Sequence, residues 1–172
     1  ERYSDVMFRC AYRMLGGDNA LAQDVHSEAW FRIARGMSGY QSRGEGSFAR
    51  WALTITKNIV RDHRRRGHPE VLTVDMLLLD RPTAGESPEQ RVVRVETARV
   101  VAAALGRLRA PYRDCLILRF YDGLSLTDCA AIMGTTIGAM KVRQHRAIKA
   151  LAAQLPPEAV TASGLVPPGM GT

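Results

Sequence analysis

The sequence predicts an all-α chain built as two small helical domains joined by an irregular linker. Three observations carry this. Apolar residues recur at three- and four-residue steps almost throughout the 172 residues. The pattern breaks once for about twenty residues, where proline, glycine and acidic residues replace it. Near the C-terminal end, two short amphipathic segments meet at a glycine in the manner of a helix-turn-helix.

Each element follows from its own residues. From Tyr3 to Leu15 the positions Val6, Met7, Cys10, Ala11, Met14 and Leu15 form one apolar face, and Gly16 to Asn19 ends it. Leu21, Val25, Ala29 and Ile33 then repeat every four residues, with Asp24, Glu28, Arg32 and Arg35 projecting elsewhere on the same helix. Gly36 to Gly46 holds four glycines without periodicity and reads as a loop. Ser47 is placed to cap the next helix, which runs through Trp51, Ile55, Ile59 and Val60 into a basic end.

Residues 68–88 change character. Pro69, Pro82, Gly85 and Pro88 punctuate them, and Glu70, Asp75, Asp80 and Glu86 face a single Arg81. Within this linker Val71 to Leu79 is an apolar island suited to docking. Helical pattern resumes at Glu89 and passes through Val92, Val95, Ala98, Val101 and Leu105. Pro111 opens a further helix, which Asp122-Gly123 ends. Residues 156–172, with four prolines and three glycines, cannot form a core and read as a flexible tail.

Composition narrows the function. A net charge of +7 points to an acidic partner, nucleic acid ahead of an anionic membrane surface. No apolar run approaches the roughly 18 residues of a transmembrane helix, so no membrane insertion is expected. Cys10, Cys115 and Cys129 are odd in number and widely spaced, which suits a reducing, cytoplasmic compartment and three small buried hydrophobes. His26, His63, His68 and His145 are scattered, with no metal-spaced pair and no nucleophile–base cluster. Neither an enzyme nor a cofactor is expected.

Two stretches carry the chemistry. In TKNIVRDHRRRG, Thr56 to Gly67, the cations Lys57, Arg61, Arg64, Arg65 and Arg66 accumulate around Asn58 and Asp62. Cations at a helix C-terminus are ordinary, but this density also suits a phosphate-facing surface with a few base-touching polar groups. In LSLTDCAAIMGTTIGAMKVRQHRAIKAL, Leu124 to Leu151, Ser125 and Asp128 have capping-box spacing, Gly134 is a C′ candidate, and Thr136 caps the second helix. That helix has an inner stripe of Met140, Ala147, Ile148 and Leu151. Its outer side presents Lys141, Arg143, Gln144, His145, Arg146 and Lys149, the residue types that read guanine, adenine and phosphate. Arg143, close to the inner stripe, is equally suited to tethering the helix.

Taken in order, QDVHSEAWFRIARG, SFARWALTITKNIVRDHRRR, the linker and LRFYDGLSLTDCAAIMGTTIGAMKVRQHRAIKAL resemble an extracytoplasmic-function (ECF, group IV) sigma factor of bacterial RNA polymerase. The resemblance covers roughly Arg2 to Leu155. It implies a σ2-like domain over residues 1–67, a linker over 68–88 and a σ4-like domain over 89–155. It implies that Asp24, Glu28, Arg32 and Arg35 dock on the β′ clamp helices of the polymerase core. Ser27 and Ala34 depart from the usual Gln and Trp there.

The resemblance further implies that the loop from Tyr40 to Phe48 forms a pocket for a base flipped from the −10 element. Ser47, Phe48, Lys57, Asn58, Arg61, Arg64 and Arg65 would touch DNA on that side, with Asp62 ordering the arginines and Trp51 anchoring the core. On the −35 side the contacts would be Thr136, Lys141, Val142, Gln144, His145, Arg146 and Lys149. Val142, where relatives often carry Ser, suits a thymine methyl. The β flap tip, promoter DNA and an anti-sigma factor are the further partners implied. For the anti-sigma factor, Val71 to Leu79 is a candidate dock, with packing on either domain as the alternative.

An autonomous operator-binding dimer would use Leu124 to Leu151 but leave the other motifs idle. A module that merely meets an acidic surface would bind without sequence preference at moderate salt.

Overall fold

The computed structural model describes residues 2–67, 72–78, 85 and 87–156. Among the described residues eight helices form: α1 (Arg2–Met14), α2 (Asn19–Gly36), α3 (Ser47–Arg65), α4 (Asp75–Leu78), α5 (Pro88–Gly106), α6 (Ala110–Leu116), α7 (Leu126–Met133) and α8 (Ile137–Ala152). A 3-10 turn, Met37–Gly39, follows α2, and a π-helical turn, Ile117–Tyr121, prolongs α6. Among the described residues there is no strand.

The helix ends show why the chain folds locally as it does. The Asp18 carboxylate accepts the Leu21 N–H at 2.9 Å and opens α2. Ser87 and Gln90 close a reciprocal capping box just ahead of Pro88, so α5 starts one residue earlier than Glu89. Ser125 Oγ accepts the Asp128 N–H at 3.0 Å, and Thr136 Oγ1 accepts the Ala139 N–H at 3.1 Å, as their spacing implies. Gly134 takes φ +64° between them, which lets the chain reverse between α7 and α8 without steric cost. One expectation fails: Ser47 does not cap α3. Gly46 stands at the N-cap, and Ser47 Oγ turns back into the loop to accept the Arg43 N–H at 3.2 Å.

The three N-terminal helices pack on one another, and α8 packs on both α6 and α7. The two groups are not separate bodies. Met7, Cys10, Leu53 and Ile59 share one buried cluster with Cys115, Leu118, Ile132 and Met140. A second cluster joins Met76 and Leu77 of α4 to Val101 and Leu105 of α5 and to Ala147 and Leu151 of α8. In the described part of the apolar island Met76 and Leu77 are therefore buried inside the chain, with Leu72, Val74 and Leu78 half-buried against the same cluster; Val71 and Leu79 lie outside the described residues, as does most of the tail.

The linker is also stitched to α1. Thr73 N–H donates to the Gly16 carbonyl at 2.8 Å, and Arg13 Nε donates to the Met76 carbonyl at 3.3 Å. Gly17, at φ +91°, lies where a Cβ would stand 2.0 Å from Thr73 Oγ1. Only glycine fits that approach.

Candidate nucleic-acid interface

The loop before α3 folds around aromatic rings. Tyr40 stacks on Trp51 with centroids 4.9 Å apart, and Phe48 meets both edge-on. The Tyr40 hydroxyl and Ser47 Oγ share a hydrogen bond of 2.7 Å. Gly39, Tyr40, Gln41, Arg43, Ser47, Arg50 and Trp51 together line a cleft of about 340 Å³. An aromatic floor with hydroxyl and guanidinium groups on its rim can take a flat heterocycle by stacking and hydrogen bonding. Sequence reasoning named Ser47, Phe48 and Trp51 but missed Arg50. Its only signal was a position four residues after Gly46 and one before Trp51.

Along α3, Arg61 and Arg65 are exposed, and Asp62 lies 4.0 Å from the first and 3.5 Å from the second. That is the ordering role expected of Asp62. Lys57 and Asn58 are half-buried. Burial, with Arg61 and then Arg143 nearby, holds the Lys57 ammonium below its usual range. Arg64 departs from expectation. Its Nη1 donates to both oxygens of Asp114 at 2.8 Å, and its Nη2 donates to the Met14 carbonyl. In this conformation Arg64 joins α3 to α6 instead of facing outward. The reason is burial: the Asp114 carboxylate, 10% exposed, needs a cation close by.

On α8 the outer side carries Lys141, Val142, His145, Arg146 and Lys149, all exposed, with Thr136 exposed at the cap. Gln144 is half-buried, and its Oε1 is shielded without a hydrogen-bond partner among the described residues. It turns partly away from the outer face, because α8 packs on both α6 and α7 and leaves a narrow open side. Arg143 is likewise half-buried and lies near Cys115 and Lys57. Arg119 Nη1 donates to the Leu124 carbonyl at 2.6 Å and fixes the turn that enters α7.

A third face lies on α2. Asp24, Arg32 and Arg35 are exposed, and Glu28 is half-buried. Glu28 accepts from Arg32 Nη2 at 2.6 Å, and His63 of α3 approaches it at 3.8 Å. Between the charges stands Phe31, 61% exposed, with the Arg35 guanidinium 5.6 Å from its ring centroid. Sequence reasoning did not single out Phe31. It breaks the four-residue apolar repeat, and an apolar residue out of phase with the core stripe was the available signal.

The cysteines are free and buried. Burial pushes the Cys115 thiol up to about 11 and the Cys129 thiol to about 12, and raises Cys10 well above its ordinary value. Among the described residues no group of histidine, cysteine and carboxylate side chains could hold a metal, and no helix is long and apolar enough to cross a membrane.

Residues 1–69 match the family model for sigma-70 region 2, and residues 98–151 match that for sigma-70 region 4. The chain is 36% identical over 161 residues to the ECF RNA polymerase sigma factor BldN of Streptomyces coelicolor, covering 92% of this chain but 60% of that protein. It is 31% identical over 144 residues to the RNA polymerase sigma-H factor of Pseudomonas aeruginosa, covering 79% of this chain and 74% of that one. Among solved structures, the fold is similar to the sigma factor RpoE of Bartonella quintana, seen in complex with the anti-sigma factor NepR. The TM-score is 0.63 at 21% identity, over 89% of this chain and 91% of that one. The chain belongs to the sigma-70 family of RNA polymerase sigma factors, in the extracytoplasmic-function group.

Proposed function

We infer that this chain is a promoter-specificity subunit, non-catalytic and cytoplasmic, that binds core RNA polymerase and directs it to −35 and −10 elements. One observation carries the reading. The region 2 match contains α3 and the region 4 match contains α8 as far as Leu151, and each of these helices offers exposed cations beside groups suited to bases. We assign residues 1–67 to core binding and −10 recognition, and residues 89–155 to −35 recognition, with 68–88 as the linker.

On the −35 side Lys141, Arg146 and Lys149 hold phosphates while Val142 and His145 face base edges, flanked by Thr136 and Gln144. On the −10 side Arg61 and Arg65 follow the backbone beside Lys57 and Asn58. The Tyr40–Trp51 cleft, with Ser47 and Phe48, receives an extruded base. Extrusion costs a few kcal/mol of stacking, which the aromatic floor offsets. Opening then needs no nucleotide hydrolysis.

Asp24, Glu28, Arg32, Arg35 and Phe31 form the face for the β′ clamp helices, and the σ4-like domain meets the β flap tip. An anti-sigma factor is the regulator, in line with the complex of the similar RpoE. The apolar cleft between α4 and α5, lined by Leu77, Leu78, Val93, Val101 and Tyr121, supports a place for it.

The test is run-off transcription with purified core polymerase, with and without this chain, on a pool of promoters. Start sites that share two elements, and are lost with Asn58→Ala or with Lys141→Ala plus Arg146→Ala, support the reading. DNA binding by the chain alone with no core-dependent initiation would overturn it in favour of an autonomous regulator.

A further inference from the structure

Along α3 the residues Arg50, Lys57 and Arg64 recur at heptad spacing, which brings them to one side of the helix at steps of about 10.5 Å. That side faces α6 and α7, and each end of the row is answered by a carboxylate there. Arg50 Nη1 donates to Asp128 Oδ1 of α7 at 3.1 Å, and Arg64 Nη1 donates to both oxygens of Asp114 of α6 at 2.8 Å. The middle of the row is answered differently. No carboxylate pairs with Lys57, and the group brought to it from α8 is another cation, Arg143.

Lys57 and Arg143 are both half-buried, and neither makes a hydrogen bond or an ion pair among the described residues. Arg143 falls between Met140 and Ala147 of the buried stripe of α8, so its guanidinium is kept at the edge of the helix contact. Burial first, then Arg61 and Arg143, hold the Lys57 ammonium below its usual range, with Asp114 opposing them. Asp114 cannot act as the counter-ion, since Arg64 takes both of its oxygens. The nearby Cys115 thiol, pushed up to about 11, stays protonated at neutral pH and offers no charge. Arg61, one turn beyond Lys57, adds a third cation and meets Asp62 only at 4.0 Å. Like charges partly shielded from water disfavour each other. The seam between α3 and α8 therefore carries a cost that a bound anion removes.

We propose that this middle position is a binding site for a small phosphate-bearing anion, gripped by Lys57 from α3 and Arg143 from α8 with Arg61 at its open edge. The residue types fit the ligand. A guanidinium fork meets two phosphate oxygens at once, and an ammonium adds a compact charge with three donors. With Asp114 taken by Arg64 and Asp62 shared with Arg65, three cations suit a multiply charged group better than a single carboxylate. The anion does between α3 and α8 what Asp128 and Asp114 do at the two ends of the row. This goes beyond the promoter reading, in which Lys57 touches DNA. A free diphosphate and a nucleic-acid backbone carry the same chemical group, and the test separates them.

The probe is inorganic pyrophosphate, titrated calorimetrically into the full chain at constant ionic strength set with sodium chloride. Saturable binding is expected, with a melting temperature that rises as the site fills. Lys57→Gln and Arg143→Gln are each expected to weaken binding about tenfold, the scale of one charge-assisted hydrogen bond. Arg143→Lys keeps the charge and loses the fork, so about threefold is expected; it takes the place of Arg143→Gln should that variant not melt cooperatively. Arg91→Gln removes one charge from the exposed face of α5 and should leave binding unchanged. Lys57→Glu sets a carboxylate before Arg143; it should melt above wild type without pyrophosphate and no longer respond to it.

No saturable heat, an equal loss with Arg91→Gln, or a response that survives Lys57→Gln combined with Arg143→Gln would each overturn the site. So would a short DNA duplex whose binding needs both residues while pyrophosphate at millimolar levels gives no response, since the seam would then serve only the nucleic-acid backbone.

Discussion

Arg64 Nη1 sits 2.8 Å from both oxygens of Asp114, which makes a residue of the basic helix end a strut between two domains. The side chains are 14% and 10% exposed, so removing either partner strands a charge that water reaches poorly. Arg64→Ala or Asp114→Ala is expected to cost about 3 kcal/mol in urea unfolding, in the range for one half of a buried pair. Arg64→Met with Asp114→Leu should recover part of that loss, because the two charges of the pair leave together. Equal loss in single and double variants would show that the pair is not what matters.

Phe31 separates stability from assembly. Phe31→Ala should leave the melting curve within about 0.5 kcal/mol of wild type, as surface substitutions do. If α2 is the core-binding face, affinity for core polymerase should fall about tenfold or more, the behaviour of an aromatic anchor. Fluorescence anisotropy of labelled chain against core polymerase measures it. Unchanged affinity would move core binding off this part of α2.

Thr136 tests the helix to which we assign −35 recognition. Its hydroxyl satisfies the Ala139 N–H, so Thr136→Ala should cost about 1 kcal/mol of stability. Thr136→Ser should cost much less. Circular dichroism melts of the two variants decide it.

The thiols give the chain an alkaline limit. Cys115 and Cys129 titrate near 11 and 12 when folded, against an ordinary value of 9.0, and Cys10 is raised as well. Well below pH 9 both states keep these protons and nothing changes. Above it the unfolded chain releases protons that the folded chain holds, so stability falls with rising pH. The slope approaches about 1.4 kcal/mol per pH unit for each thiol. Urea midpoints between pH 8 and 10.5 should fall for the wild type and fall less steeply for Cys129→Ala.

Most of the architecture was legible because helices announce themselves by period and by caps. Ser125, Thr136 and Gly134 act as their spacing implies. What escaped were contacts between segments distant in sequence. Arg64 looked like its basic neighbours, and only the fold brings Asp114 beside it. Ser47 had the chemistry of a cap, but the loop claimed its hydroxyl. Arg50 carried no motif, and its place in the cleft depends on how residues 36–46 wrap around Trp51. Gln144 and Arg143 lie at the edge of the exposed side of α8, where a shift of one residue changes the surroundings.

The attachment of α4 to α1 governs how far the two DNA readers can part. An extended chain covers at most about 3.5 Å per residue. Arg65 to Asp75 and Leu78 to Pro88 are ten steps each, so either stretch alone reaches about 35 Å, while the full run from Arg65 to Pro88 reaches about 80 Å. While α4 stays docked on one neighbour it works as a buckle on a strap, and only one stretch is paid out. Released from both, it lets the strap run to a length on the scale of a promoter spacer. Gly17→Ala, which drives a methyl into Thr73, would loosen one side of that buckle, and the working span of the molecule would change without a single DNA-facing residue being altered.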